Sequence, residues 1–151
     1  MNLRRQSIVI AAPQELCFEV VAAAGRRLEK RSEVEWVVEF TTRAGDREVR
    51  TVELLILDRP EAIEYRWLEG PIPDVRETIS FVTREDGTTQ VDYRGNFSLG
   101  KGPIAWLIGR LRVKRLFDRL VAEHLLQAKE VAETRARRTR VHTRNGRRSS
   151  K

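Results

Sequence analysis

The feature that most constrains this chain is a run of period-two alternation through its middle. "EVEWVVEFTT" sets Val34, Trp36, Val38 and Phe40 against Glu35, Glu39 and Thr41, the pattern of a half-buried strand. "RAGD" supplies a turn and "REVRTVELLIL" returns as the next strand. After "DRPEA", the run "IEYRWLE" aligns Ile63, Tyr65 and Trp67, and "GPIPD" ends it because neither proline can donate to a ladder. "VRETISFVT" aligns Val75, Glu77, Ile79 and Phe81. "EDGT" reads as a hairpin turn, and "TQVDYRGNFSL" aligns Thr89, Val91, Tyr93, Gly95 and Phe97. Five consecutive strands with short connections form an antiparallel meander, one face dry and one wet.

A dry face needs a cover. Ahead of the meander, "RRQSIVI" reads as one more strand. "APQELCFEVVAAAG" reads as a short helix, opening at Pro13, stopping at Gly25 and carrying Leu16, Cys17, Val20, Val21 and Ala24 on its apolar side. After the meander, "KGPIAWLIGRLRVKRLFDRLVAEHLLQAKEVAE" places Trp106, Val113, Leu116, Phe117, Leu120, His124, Ala128 and Val131 on one helical stripe. The sequence therefore predicts an α+β fold: a curved antiparallel sheet of six strands, or seven, around a long C-terminal helix, with a short N-terminal helix.

Ile104, Leu107, Ile108 and Leu111 fall on the opposite side of that long helix, among Arg110, Arg112, Lys114, Arg115 and Arg119. Three readings of this early second face stay open. Loops or the first helix cover it; it touches a membrane or a partner beside a ligand entrance; or it is a homodimer contact.

Composition excludes several classes. The 151 residues suit one domain, and no run of eighteen apolar residues is present to span a membrane. "MNLRRQSIVI" is too short and too alternating for a secretory signal, so a cytoplasmic setting is expected. Cys17 is the single cysteine and there are two histidines, one of them His142 near the C-terminus, so no metal cluster and no cofactor is expected. "GKGPIAWLIG" lacks the spacing that cradles phosphate, and no serine sits in a nucleophile elbow. Of the 29 basic residues, 8 lie in residues 135–151, which contain no acid; the other 21 are set against 22 acids. The expected division is thus a nearly neutral domain over residues 1–134 and a mobile basic tail over 135–151. That tail is either a solubilising end or a contact for nucleic acid or an anionic membrane.

The element order, the stretch "IVIAAPQELCFEVV", the hairpin strand "DGTTQVDYRGNF" and the closing "HLLQAKEVAE" resemble the START-like helix-grip superfamily. That group includes birch-pollen-allergen-like and polyketide cyclase/dehydrase-like proteins. The resemblance covers roughly residues 3 to 134. Such proteins usually carry a second helix after the first; here "GRRLEKRS" leaves room for one turn or none.

The resemblance implies an interior between sheet and helix that takes a small apolar molecule. The dry faces supply Trp36, Val38, Phe40, Tyr65, Trp67, Ile79, Phe81, Val91, Tyr93 and Phe97, and the helix adds Val113, Phe117 and Leu120. These side chains either line a cavity or meet and fill it. Glu77 and His124 are the ionisable residues on those faces, and burial would raise the pKa of the first and lower that of the second. The leading expectation is binding or transport of a lipid-like, aromatic or polyketide-like ligand. The alternative that the resemblance implies is an aldol-type cyclase or dehydrase using Glu77 and His124 as base and acid, with Tyr65 and Tyr93 steadying an enolate oxygen.

Overall fold

In the computed structural model, residues 1–99, 102, 103, 107 and 109–148 are described, without the side chains of residues 44, 109, 110 and 144–148. Strand β1 (Gln6–Ile10) leads into helix α1 (Gln14–Ala22). Strands β2 (Arg26–Lys30), β3 (Glu35–Ala44), β4 (Arg47–Asp58), β5 (Ala62–Glu69), β6 (Arg76–Thr83) and β7 (Thr89–Asn96) follow. A wide π-helical turn, Gly109–Val113, then opens helix α2 (Lys114–Arg148). The strands form one antiparallel sheet in the order β1-β7-β6-β5-β4-β3-β2, so six run as a meander and β1 returns to pair with β7.

The seventh strand is β2. It occupies the stretch in which the sequence reading allows a one-turn helix. Gly25 turns the chain out of α1 at φ +80, where a Cβ would also lie 2.7 Å from both Phe40 and Val38. All five residues of β2 are exposed, so no alternation of burial marks it in the sequence. Its charged side chains suit an edge strand that must not recruit another.

Register decides what faces inward. Trp36, Leu55, Tyr65, Glu77 and Gly95 are successive cross-strand partners, and Val38, Glu53 and Trp67 form the next rung. On the other side lie Leu57, Ile63, Ile79 and Tyr93, then Phe81 and Val91. The two ends of this face differ. Under α1 it is solid: Phe18, absent from the expected apolar side, is fully buried with its ring 5.6 Å from Phe81 in an edge-to-face contact. Gln14 donates from its side chain to the Phe81 and Pro60 carbonyls, and Thr89 donates to the Ala12 carbonyl.

Helix α2 runs along β1. Gln6 donates to the Asp118 carbonyl, Lys129 Nζ donates to the Val9 carbonyl, and the Ala11 amide donates to Glu133, which is itself paired with Lys129. The inward stripe is Phe117, Val121, Leu125, Ala132 and Ala136, with Ala128 half-buried. This corrects the sequence expectation. Leu116, His124 and Val131 are exposed, Val113 and Leu120 are half-buried, and Trp106 lies outside the described residues. A π turn contains one residue more than an α turn, so a single 3.6-residue wheel drawn from Trp106 to Val131 slips out of phase at Gly109–Val113. The alanines lower down let α2 lie close to its neighbours.

Of the early second face, Leu107 and Leu111 are exposed, whereas Ile104 and Ile108 lie outside the described residues. Helix α2 continues to Arg148, so residues 135–148 are helical where the sequence predicts a mobile tail, and Ala136 packs into the core. Among the described residues no helix is long and apolar enough to cross a membrane.

Candidate functional site

At the end of the inward face away from α1, beneath the first turns of α2, the sheet carries a polar cluster. Its centre is Glu77. Tyr93 donates its hydroxyl proton to one carboxyl oxygen at 2.6 Å, and the Trp67 indole N–H donates to the other at 3.0 Å. Burial nevertheless pushes the Glu77 pKa up, against the pull of those two hydrogen bonds. Gly95 is the cross-strand partner of Glu77. A Cβ there would stand 2.7 Å from the Tyr93 hydroxyl oxygen and 2.8 Å from Leu3, so glycine leaves room for the Tyr93–Glu77 hydrogen bond.

A second carboxyl stands diagonally across β5. Glu53 is 6% exposed, pairs with Trp67 in register, and accepts a hydrogen bond from Thr51 at 2.6 Å. Burial first, and the neighbouring Glu77 charge second, push its pKa up to about 8. At neutral pH this carboxyl is therefore mostly protonated. The titration of Glu53 thus depends on the charge state of Glu77. Tyr65 lies between them in the register and is 7% exposed. Its hydroxyl has no hydrogen-bond partner among the described residues, and burial with the two carboxyls beside it raises its pKa far above the ordinary tyrosine value.

Aromatic rings roof the cluster. Phe117 of α2 sits 5.7 Å from Trp67 and 6.2 Å from Phe97, the latter pair nearly parallel at 4°. The next residue, Asp118, has a fully buried carboxyl oxygen with no partner among the described residues, and its charge reaches Tyr93. Despite this roof, Trp36, Phe40, Trp67, Glu77 and Ile79 all remain half-buried, not sealed, on a face that a filled core would close.

No protein-family model matches this chain, and no curated protein matches it. Solved structures do. A Thermus thermophilus protein superposes with a TM-score of 0.70 at 20% identity, covering 90% of this chain and 99% of that one. The Zhui aromatase/cyclase from Streptomyces sp. R1128 gives 0.67 at 16%, covering 91% and 94%. A START superfamily protein from Mycobacterium smegmatis gives 0.59 at 16%, covering 92% and 99%.

The fold is the START-like helix grip.

Within the helix grip, the sheet residues expected from the sequence do share the inward face, but they separate into two groups. Phe81 and Val91 belong to the solid packing near α1. Tyr65, Trp67, Glu77, Tyr93 and Phe97 gather with Phe117 in the polar cluster and its roof. Phe40 joins them through Tyr65, 6.3 Å away. Val38 is buried between Glu53 and Arg27 in register. Trp36 lies toward α1, with the guanidinium groups of Arg27 and Arg59 at 5.0 and 5.7 Å from its ring. Its indole nitrogen is buried without a partner among the described residues.

His124 does not join the cluster. It lies on the exposed side of α2, where partial burial of the ring holds its pKa below the ordinary value. The pairing of Glu77 with His124 is thereby replaced by the pairing of Glu77 with Glu53. A signal for Glu53 is present in "TVELLIL", where it shares period-two spacing with Thr51, Leu55 and Leu57. Apolar residues on both faces of that strand hide it. Asp118 has no comparable signal, because its position depends on the phase shift at the π turn.

Proposed function

We propose that this chain binds a small, largely apolar molecule between the sheet and the first turns of α2, with Glu53, Glu77 and Tyr65 as the orienting polar groups. One observation carries the reading: aromatic side chains on the inward face keep accessible surface around a sparse set of buried polar groups. That combination is what a ligand pocket requires, since apolar walls supply affinity and a few polar atoms fix orientation. Native mass spectrometry of freshly purified protein is expected to show a non-covalently bound small molecule. The protein should also bind the neutral apolar dye Nile red. Ile79→Trp, which adds bulk to the same face, should abolish both while the far-ultraviolet circular dichroism is kept. A parent protein that carries no such mass and leaves Nile red unbound would overturn the reading.

A catalytic reading has its own support. Solved neighbours described as aromatase/cyclases include Zhui and the di-domain StfQ from the steffimycin biosynthetic pathway, of which this chain covers 51% at a TM-score of 0.73 and 16% identity. A largely protonated Glu53 beside Glu77 offers an acid and a base in one cluster. If this chain is a cyclase or dehydrase, Glu53→Gln and Glu77→Gln lose turnover of a poly-β-ketone test substrate while retaining its binding. Loss of binding in step with turnover would favour the simple carrier.

A further inference from the structure

The carboxyl groups at this end of the interior outnumber what a neutral guest requires. Glu53 reaches in from β4, Glu77 from β6 and Asp118 from α2. Every described hydrogen bond to the side chains of Glu53 and Glu77 comes from a neutral donor: Thr51, Tyr93 and Trp67. No lysine or arginine among the described residues forms an ion pair with any of the three. A buried carboxylate without a counter-charge is costly, and it is relieved either by a proton or by a cation brought from outside. The described residues offer no cluster of His, Cys, Asp or Glu able to hold a metal ion. The surrounding faces are aromatic, with Trp67, Phe117 and Tyr65 lining the same space. Aromatic faces beside carboxylates are the surroundings that stabilise an organic ammonium group.

Resting on the ligand-binding reading above, we infer that the guest is a cation: an apolar body bearing an ammonium group that docks among Glu53, Glu77 and Asp118 under the Trp67–Phe117 roof. One feature supports it besides the acids themselves, and one of the acids adds a second. The Tyr65 hydroxyl, on a residue 7% exposed, has no hydrogen-bond partner among the described residues, and among the acids one Asp118 carboxyl oxygen is fully buried without one. Both are polar atoms that a bound ammonium or its neighbouring groups would satisfy.

Binding of such a cation must compete with protonation of the carboxyls. The ionisable groups facing Glu53 are Glu77, Tyr65 and Tyr93, and Asp118 reaches Tyr93; all are neutral or negative. A permanently charged guest should thus bind more tightly as pH rises and release a proton as it does so.

The test uses benzyltrimethylammonium, whose charge does not titrate, and neopentylbenzene, its uncharged isostere. Each displaces Nile red from the full-length protein between pH 6 and pH 9. Benzyltrimethylammonium is expected to bind at least about tenfold more tightly than the isostere at pH 8.5, with affinity rising roughly tenfold from pH 7 to pH 8.5. Glu53→Gln and Glu77→Gln should each remove that preference, and His124→Ala should leave the affinities for both probes unchanged. If the isostere binds equally well at every pH, or neither probe displaces the dye, the cation inference fails while the pocket stands. If Nile red itself does not bind, the pocket reading fails with it.

Discussion

Glu53 illustrates how one buried group sets a pH dependence for the whole chain. Its pKa is near the ordinary glutamate value when unfolded and is raised to about 8 in the folded protein. Between those values the folded state holds a proton that the unfolded state has released. Stability therefore falls as pH rises through that window and levels off above it, by on the order of 1 kcal/mol per pH unit. Glu53→Gln removes the titrating group while keeping its shape. Urea denaturation at pH 5, 7 and 9 should show the variant losing less stability than the parent over that range, and exceeding it at pH 9. A parent profile no steeper than the variant's would contradict the buried position of Glu53. The same residue shows a limit of pattern reading. Glu77 stands out in "VRETISFVT" because its strand alternates, whereas Glu53 is masked in "VELLIL" by Leu54 and Ile56 on the opposite face.

At the level of elements, the sheet is legible in the sequence and the helix phase is not. Strands β3, β5, β6 and β7 follow from alternation because each turns one face to the core, whereas β4 carries apolar residues on both faces and its inward side is not legible from spacing. Strand β2 buries neither face, so burial pattern cannot reveal it. A continuous wheel over α2 misses the extra residue in the Gly109–Val113 turn, which rotates the later part of the helix relative to that wheel. The difference can be measured. Leu125 is 5% exposed and Leu125→Ala should cost roughly 2–5 kcal/mol. His124→Ala, one position away on the exposed side, should stay within about 0.5 kcal/mol of the parent. Thermal denaturation distinguishes this from the continuous wheel, which places His124 at the centre of the buried stripe.

For the whole molecule, charge and packing divide at nearly the same place. Among the described side chains of α2, Ala136 is the last that is buried, and residues 137–143 are all exposed. Beyond it the sequence offers basic residues and no acid. Removal of residues 138–151 should therefore leave thermal stability and Nile red binding unchanged within error and reduce retention on a polyanion column. A large fall in melting temperature would mean that this end packs against the domain. Composition locates the charge boundary, but the helical continuation past residue 134 follows from Ala132 and Ala136 sitting on the inward stripe.

The grip of α2 on β1 has one more consequence, for how copies of this protein meet. A sheet has two flanks, and each could in principle accept a strand from another molecule. Along one of them Lys129 and Glu133 engage the Val9 carbonyl and the Ala11 amide, so a newcomer must first dislodge the helix. The other flank presents Arg26, Arg27, Glu29 and Lys30 to solvent, and a strand arriving there meets charge before backbone. Loosening α2 would thus do more than expose an interior: it would uncover a template for aggregation.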